Sequence, residues 1–156
     1  MAARADHIIG GEMYYTFLGK SGHNNRYRIT LKLFVRCDAT NEQFDTKVDI
    51  AIYNGLGARV TTMTDIDREN IERYTATDVD PCIVNPPYIC YQIGYYSREV
   101  VLPPDASGYV AAFQRCCRRT GLANIFSDNR VGATYSVVIP GTPNGFDANN
   151  GPRFSK

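Results

Sequence analysis

The chain has 156 residues with a formal net charge of +1, from 17 basic and 16 acidic side chains, and 44% of its residues are hydrophobic. This size fits one domain that buries its own core. The balanced charge argues against nucleic acid or an anionic membrane surface as a general electrostatic partner. Charged residues interrupt every apolar stretch well before the roughly 20 apolar residues of a membrane helix, so no membrane span is expected.

Strand formers and turn residues dominate the composition, with 11 Tyr, 7 Phe, 13 Gly and 8 Pro. Glu12 to Leu18 predicts a first strand, and Gly19 to Asn25 predicts a hairpin turn. From Asn25 to Cys37 apolar and polar side chains alternate, and Phe34 is the one apolar residue on the polar side. This pattern indicates a half-buried strand of an antiparallel sheet. Further strands are predicted around Val48 to Ile52 and at Ile89 to Ile93, Arg98 to Leu102, Tyr109 to Cys117 and Ala133 to Ile139.

One segment has helical signals. Thr64 is a suitable N-cap, and the acidic residues that follow it favour the first turn of a helix over Asp65 to Tyr74. About seven short strands with this one helix predict an all-β, immunoglobulin-like antiparallel sandwich over residues 1–140. Residues 141–156 are rich in Pro, Gly and Asn, so we expect a linker or the start of a following domain.

The cysteines are the chemically most distinctive residues of the chain. The five are Cys37, Cys82, Cys90, Cys116 and Cys117. Their spacing is unlike that of a zinc site, and neither His7 nor His23 is close in sequence to a second pair of ligands or to a thiol that it could activate.

Disulfides are therefore expected, and the simplest is Cys82 with Cys90. Neighbouring residues of a strand face opposite ways, so only one of Cys116 and Cys117 can meet Cys37, and the other is left over. The alternative is a cytosolic domain with five reduced, buried cysteines.

Four arginines are candidates for binding an acidic polysaccharide, because guanidinium groups match carboxylate and sulfate. They are Arg98, Arg115, Arg118 and Arg119. The alternative is internal pairing with carboxylates near the cysteines. Tyr95, Tyr96 and Tyr109 are candidates for stacking on sugars, with packing inside the sheet as the alternative.

Clustered acidic residues raise the question of calcium. They are Asp65, Asp67, Glu69, Asp78 and Asp80. No complete calcium-loop pattern is present, so helix capping and a solvated loop explain them better, and no metal or cofactor is predicted. Phosphate-loop, nucleophile-elbow, zinc-protease and dinucleotide motifs are also lacking, so no enzyme is predicted.

The segment QRCCRR, Gln114 to Arg119, is joined by HIIGGEMYY, YRITLKLFVRCD, DPCIVNPPYICYQIGYY, LPPDASGYVAAFQRCCRRTGLANI and GATYSVVIPG. These stretches span His7 to Gly141. Together they resemble the N-terminal domain of large Bacteroidota surface proteins that carry gliding-motility-associated C-terminal sorting domains. The chain differs in having Val35 and Arg36 before Cys37, where that family more often has an Arg-Asp pair, and in lacking the sorting domain.

The resemblance implies export by type IX secretion to the cell surface, as part of a multi-domain or filamentous protein with immunoglobulin- or cadherin-like repeats. Residues 2–5 contain no apolar secretion segment, so we expect any signal peptide to have been removed or replaced. The leading hypothesis is a non-catalytic extracellular adhesion module that contacts following domains and a surface protein or polysaccharide. The alternatives are a carbohydrate-binding module and a self-assembling filament subunit, a homo-oligomer formed through an unpaired sheet edge.

Overall fold

The computed structural model describes residues 8–37, 44–76, 82–85, 88–116, 131–141 and 149–152. All regular elements in these residues are strands, and all of their pairings are antiparallel. The strands are β1 (Ile8–Ser21), β2 (Asn24–Arg36), β3 (Lys47–Asn54), β4 (Arg59–Thr75), β5 (Cys90–Leu102), β6 (Tyr109–Arg115) and β7 (Ala133–Ile139). The predicted all-β antiparallel class is confirmed. Within the described ranges, no helix has the length and apolar character to cross a membrane.

Alternation along the strands builds the core. On β2, Ile29, Leu31, Leu33 and Val35 are fully buried, whereas Lys32 and Phe34 between them are half-buried and Thr30 is itself 7% exposed. Each such aliphatic side chain contributes roughly 1.5–3 kcal/mol when removed from water. The inner faces of β3, β6 and β7 supply the opposite side of one continuous core, with Val48, Ile50, Ile52, Ala111, Phe113, Val137 and Ile139.

The seven strands form one sheet in the order β1-β2-β5-β4-β3-β6-β7. Its two ends pack against each other, since Gly11 of β1 lies against the Tyr135 ring of β7. The sheet therefore curls into a nearly closed, barrel-like shape. β4 has 17 residues, and its first part pairs with β3 whereas its second part pairs with β5. This shared strand joins what was expected as two separate sheets, so the immunoglobulin-like sandwich is not confirmed.

The helix predicted over 65–74 is wrong, because these residues belong to β4. Asp65 lies at a bulge, where the register against β3 shifts and its φ angle is +54°. Asp is one of the few residues that accept this left-handed conformation, and the Asp65 N–H donates to the Asp49 carboxylate at 2.8 Å. Two neighbouring strands satisfy the backbone of β4, so pairing outweighs the local capping signal.

The two strands predicted at 89–93 and 98–102 are the single strand β5, because β2 pairs with it along its whole length. Gly94 of β5 makes room for the Phe44 ring, and a Cβ atom there would lie 2.6 Å from that ring. The segment that carries Phe44 is fixed by Tyr96, whose hydroxyl donates to the Asp45 carbonyl at 2.6 Å. This segment therefore completes the core beside β5.

Residues 149–152 lie along β1. The Gly151 N–H donates to the Tyr15 carbonyl, and the Asn150 side-chain oxygen accepts from the Phe17 N–H, both at 2.9 Å. Gly151 is buried, and a Cβ atom there would be 3.0 Å from the Tyr15 nitrogen. Part of the predicted linker 141–156 is thus docked on the domain. The boundary at residue 140 stays a prediction.

Candidate functional site

A groove of about 640 Å³ lies on the outer face of β1, β2, β5 and β4. The antiparallel register forms its rows: Lys32 lies opposite Tyr95, Phe34 opposite Ile93, and Tyr74 opposite Tyr91. These side chains point away from the core because they alternate with the buried residues of the same strands. The volume falls within the roughly 300–1,000 Å³ that is typical of small-molecule sites. The groove is lined by Gly11, Glu12, Lys32, Phe34, Glu72, Arg73, Tyr74, Tyr91, Ile93 and Tyr95.

Lys32 forms the polar centre of one side of the groove. Its ammonium nitrogen lies 2.5 Å from a Glu12 carboxylate oxygen, and only 14% of the Lys32 side chain is exposed. The same nitrogen lies 5.3 Å from the centroid of the Tyr14 ring and 5.6 Å from that of Tyr95. The carboxylate and the two aromatic faces all attract the positive charge, so they hold the ammonium group in place.

Tyr95 connects this charged pair to the opposite wall. Its hydroxyl donates to a Glu72 carboxylate oxygen at 3.0 Å. Burial, and then the hydrogen bond and negative charge of Glu72, raise the pKa of Tyr95 to about 12. The phenol therefore stays protonated and neutral at physiological pH and keeps Glu72 facing the groove.

An aromatic cluster forms the other end of the groove. Phe34 meets Tyr91 edge to face with ring centroids 5.9 Å apart, and Tyr91 packs against Tyr74 at 4.9 Å. Tyr74 is 47% exposed, so the cluster presents aromatic surface to solvent. The groove thus combines ionised acceptors and a cationic donor with a partly exposed aromatic wall.

A disulfide closes the same end of the sheet. Cys37 directly follows β2 and Cys90 begins β5, and their Cα atoms are 5.4 Å apart. Because Arg36 lies opposite Tyr91, the next pair along the two strands is Cys37 and Cys90. This bond fixes the strand ends from which Tyr91 projects.

The disulfide pairing expected from the sequence is not the one observed. Cys82 is closer to Cys90 along the chain, but strand register decides the partner, and Cys82 lies exposed outside the sheet. The predicted bond from Cys37 to Cys116 or Cys117 is likewise replaced by Cys37–Cys90. Cys116 is also disulfide-bonded, and Cys117 lies outside the described residues.

Of the predicted sugar-stacking tyrosines, only Tyr95 lines the groove. Tyr96 is fully buried in the core. Tyr109 is buried as well, and its hydroxyl donates to the Pro103 carbonyl at 2.8 Å. Alternation along β5 separates Tyr95 from Tyr96, so two adjacent tyrosines have opposite environments.

The predicted arginine patch is not assembled by the residues that the structure describes. Arg98 donates to the backbone carbonyls of Thr64 and Asp65 and so fixes the bulge of β4. Arg115 is paired with the Asp45 carboxylate, and burial lowers the pKa of its guanidinium. Both arginines therefore have internal structural partners, which was the alternative to ligand binding. Arg118 and Arg119 lie outside the described residues.

Within the described ranges, no group of three or more His, Cys, Asp or Glu side chains is arranged to hold a metal ion. Asp67 pairs loosely with Lys47 at 3.8 Å, and Glu69 accepts a hydrogen bond from Ser97 at 2.5 Å. These carboxylates therefore serve strand contacts. Asp78 and Asp80 lie outside the described residues.

Comparison with protein-family models, with curated proteins and with solved structures finds no match to this chain.

Most groove residues were not singled out from the sequence. The available signal was Phe34, an apolar side chain on the otherwise polar face of β2. An outward aromatic residue in a half-buried strand indicates a covered or ligand-binding face. Locating its neighbours required the register of β5 and β4, which assigns Tyr91 and Tyr74 to the same face.

Proposed function

We propose that the chain is a non-catalytic binding module of an exported cell-surface protein and that the groove is its contact surface. The observation that carries the proposal is the groove itself, in which the exposed Tyr74 and the half-buried Tyr91 adjoin fixed charged side chains. Such a combination of apolar surface and a few oriented polar groups is typical of recognition sites.

Oxidised cysteines support the extracellular part of the proposal. Disulfides persist in oxidising compartments, and both the Cys37–Cys90 bond and the oxidised Cys116 are consistent with export. The parent would be a Bacteroidota surface protein of the gliding-motility-associated type, with immunoglobulin- or cadherin-like domains following. This origin rests on the sequence resemblance alone.

The non-catalytic part of the proposal rests on how the carboxylates of the groove are engaged. Glu12 is bound to an ammonium group and Glu72 accepts a phenolic proton donor. We assign both to holding side chains and ligand in position, because each carboxylate is already engaged by a donor within the groove.

Surface binding is the direct test. The oxidised protein, labelled with a fluorophore, is incubated with intact cells of a gliding Bacteroidota strain and with its separated outer-membrane protein and polysaccharide fractions. Saturable binding is expected, and Tyr74→Ala should weaken it at least tenfold. Tyr53→Ala, a tyrosine on β3 outside the groove, serves as the matched control and should bind as the parent does.

Non-saturable binding to all of the fractions would contradict the proposal. So would saturable binding that Tyr74→Ala leaves unchanged. Cleavage of the polysaccharide fraction, followed as new reducing ends, would contradict its non-catalytic part. Circular dichroism of each variant verifies that the fold is retained.

A further inference from the structure

We propose that the ligand of the groove is a neutral saccharide, bound with the apolar face of a sugar ring on the exposed Tyr74 ring, which packs on Tyr91, and with its hydroxyl groups toward Glu72 and Lys32. This inference rests on the proposed binding function and specifies its ligand class. It is drawn from three properties of the groove: its aromatic wall, its mixture of donors and acceptors, and its charge balance.

The aromatic wall fits a pyranose ring. The Tyr74 and Tyr91 rings pack on each other, with centroids 4.9 Å apart and planes inclined by 33°. Tyr74 is 47% exposed, so it supplies the open ring surface. The face of an aromatic ring is electron-rich, and the C–H bonds on one face of a sugar ring carry partial positive charge, so the two surfaces attract. Phe34 meets the Tyr91 ring edge to face, so Tyr91 is held between Phe34 and Tyr74.

The polar groups of the groove match hydroxyl chemistry. A sugar hydroxyl both donates and accepts, so its site needs acceptors and donors side by side. Glu72 and Glu12 are ionised acceptors, and a carboxylate accepts several hydrogen bonds at once. Lys32 is a cationic donor with three N–H groups, and it lies between Glu12 and the Tyr95 ring.

Charge balance selects a neutral saccharide. Glu12 and Glu72 contribute two negative charges, and Lys32 and Arg73 contribute two positive charges, so the lining has no net formal charge. A groove of one sign would concentrate acidic or amino sugars, and this one does not. The acidic polysaccharide expected from the arginines therefore gives way to an uncharged ligand.

A proline-rich peptide is the main competitor, because such segments also dock in aromatic grooves. Proline has no backbone N–H, so a polyproline segment presents carbonyl acceptors to the groove. Placing those carbonyls against Glu72 and Glu12 would leave acceptor facing acceptor. The two carboxylates therefore favour a ligand with many O–H donors.

The test is a titration with defined probes, followed by two-dimensional NMR and by tyrosine fluorescence, which is readable because the chain has no Trp. The neutral probes are cellotetraose, laminaritetraose and mannotetraose, and the competitors are tetragalacturonate, the chitosan tetramer and decaproline. At least one neutral probe should bind more tightly than every competitor. Tyr74→Ala and Glu72→Gln should each weaken its binding at least tenfold, and Tyr53→Ala should not.

Three results would overturn the saccharide assignment: tightest binding to a charged saccharide, tightest binding to decaproline, or no binding to any probe. If binding to cell-surface fractions still depends on Tyr74, only the ligand class is wrong and the proposed function stands. If that binding is lacking as well, both proposals fail. Glu72→Gln keeps the size and shape of the side chain, so its effect separates loss of the charged acceptor from loss of folding.

Discussion

The Cys37–Cys90 disulfide joins residues that are 53 positions apart, and its removal is expected to cost considerable stability. On the chain-entropy model, closing a loop of this length removes about 4 kcal/mol of unfolded-state entropy at 25 °C. Globular domains are stable by only about 5–15 kcal/mol. The double variant Cys37→Ser/Cys90→Ser should therefore lose a large share of its free energy of unfolding.

Urea unfolding at equilibrium, followed by circular dichroism, measures this loss. The double variant is preferable to a reductant, because Cys116 is oxidised too and would be reduced at the same time. The control is Cys82→Ser at an exposed position, which should change the free energy of unfolding by less than about 0.5 kcal/mol. A loss below about 1 kcal/mol in the double variant, or a loss of about 2 kcal/mol in the control, would refute the observed pairing and favour Cys82–Cys90.

Three further predictions concern the strands themselves. The pKa of Tyr95 is raised from 10.0 to about 12, so the stability that its protonated form contributes is complete below pH 10 and is lost as the pH rises through 12. Spectrophotometric titration should show a lower pKa for Tyr95 in the Glu72→Gln variant. An unchanged pKa would contradict the hydrogen bond. Asp65→Val should destabilise the fold by about 1–2 kcal/mol because valine resists a positive φ angle, whereas Asp65→Gly should be nearly neutral in thermal melts. Equal melting temperatures for the two variants would argue against the bulge. Gly94→Ala should lower stability by about 1–3 kcal/mol in urea unfolding because its methyl group would collide with the Phe44 ring, and a wild-type midpoint would show that Phe44 does not fill this space.

Local patterns predicted the strands well wherever one face is buried and the other is wet. The alternation through β2 is of this kind, and β7 was predicted with its observed bounds, Ala133–Ile139. The hairpin after β1 was also expected, although both strands run further than their apolar patterns. Gly22 and His23 alone form its turn, because β1 and β2 remain paired as far as Ser21 and Asn24.

Long-range pairing explains the errors. The segment of β4 has helix-capping residues, yet it lies between two strands that satisfy its backbone, and sequence periodicity alone does not reveal those neighbours. The cysteine pairing failed for the same reason, since register between β2 and β5 outweighed proximity along the chain. The groove depends on four strands at once, so only single members such as Tyr95 and Phe34 could be noticed beforehand.

The continuity of β4 has a mechanical consequence. This strand has 17 residues, and it is hydrogen-bonded to β3 along its first part and to β5 along its second part. The two parts of the sheet are therefore continuous through one strand. Neither part can melt while the other keeps its full set of pairings. Amide-exchange protection at Met63 and at Glu72 should therefore collapse at the same denaturant concentration, as expected for one cooperative unit.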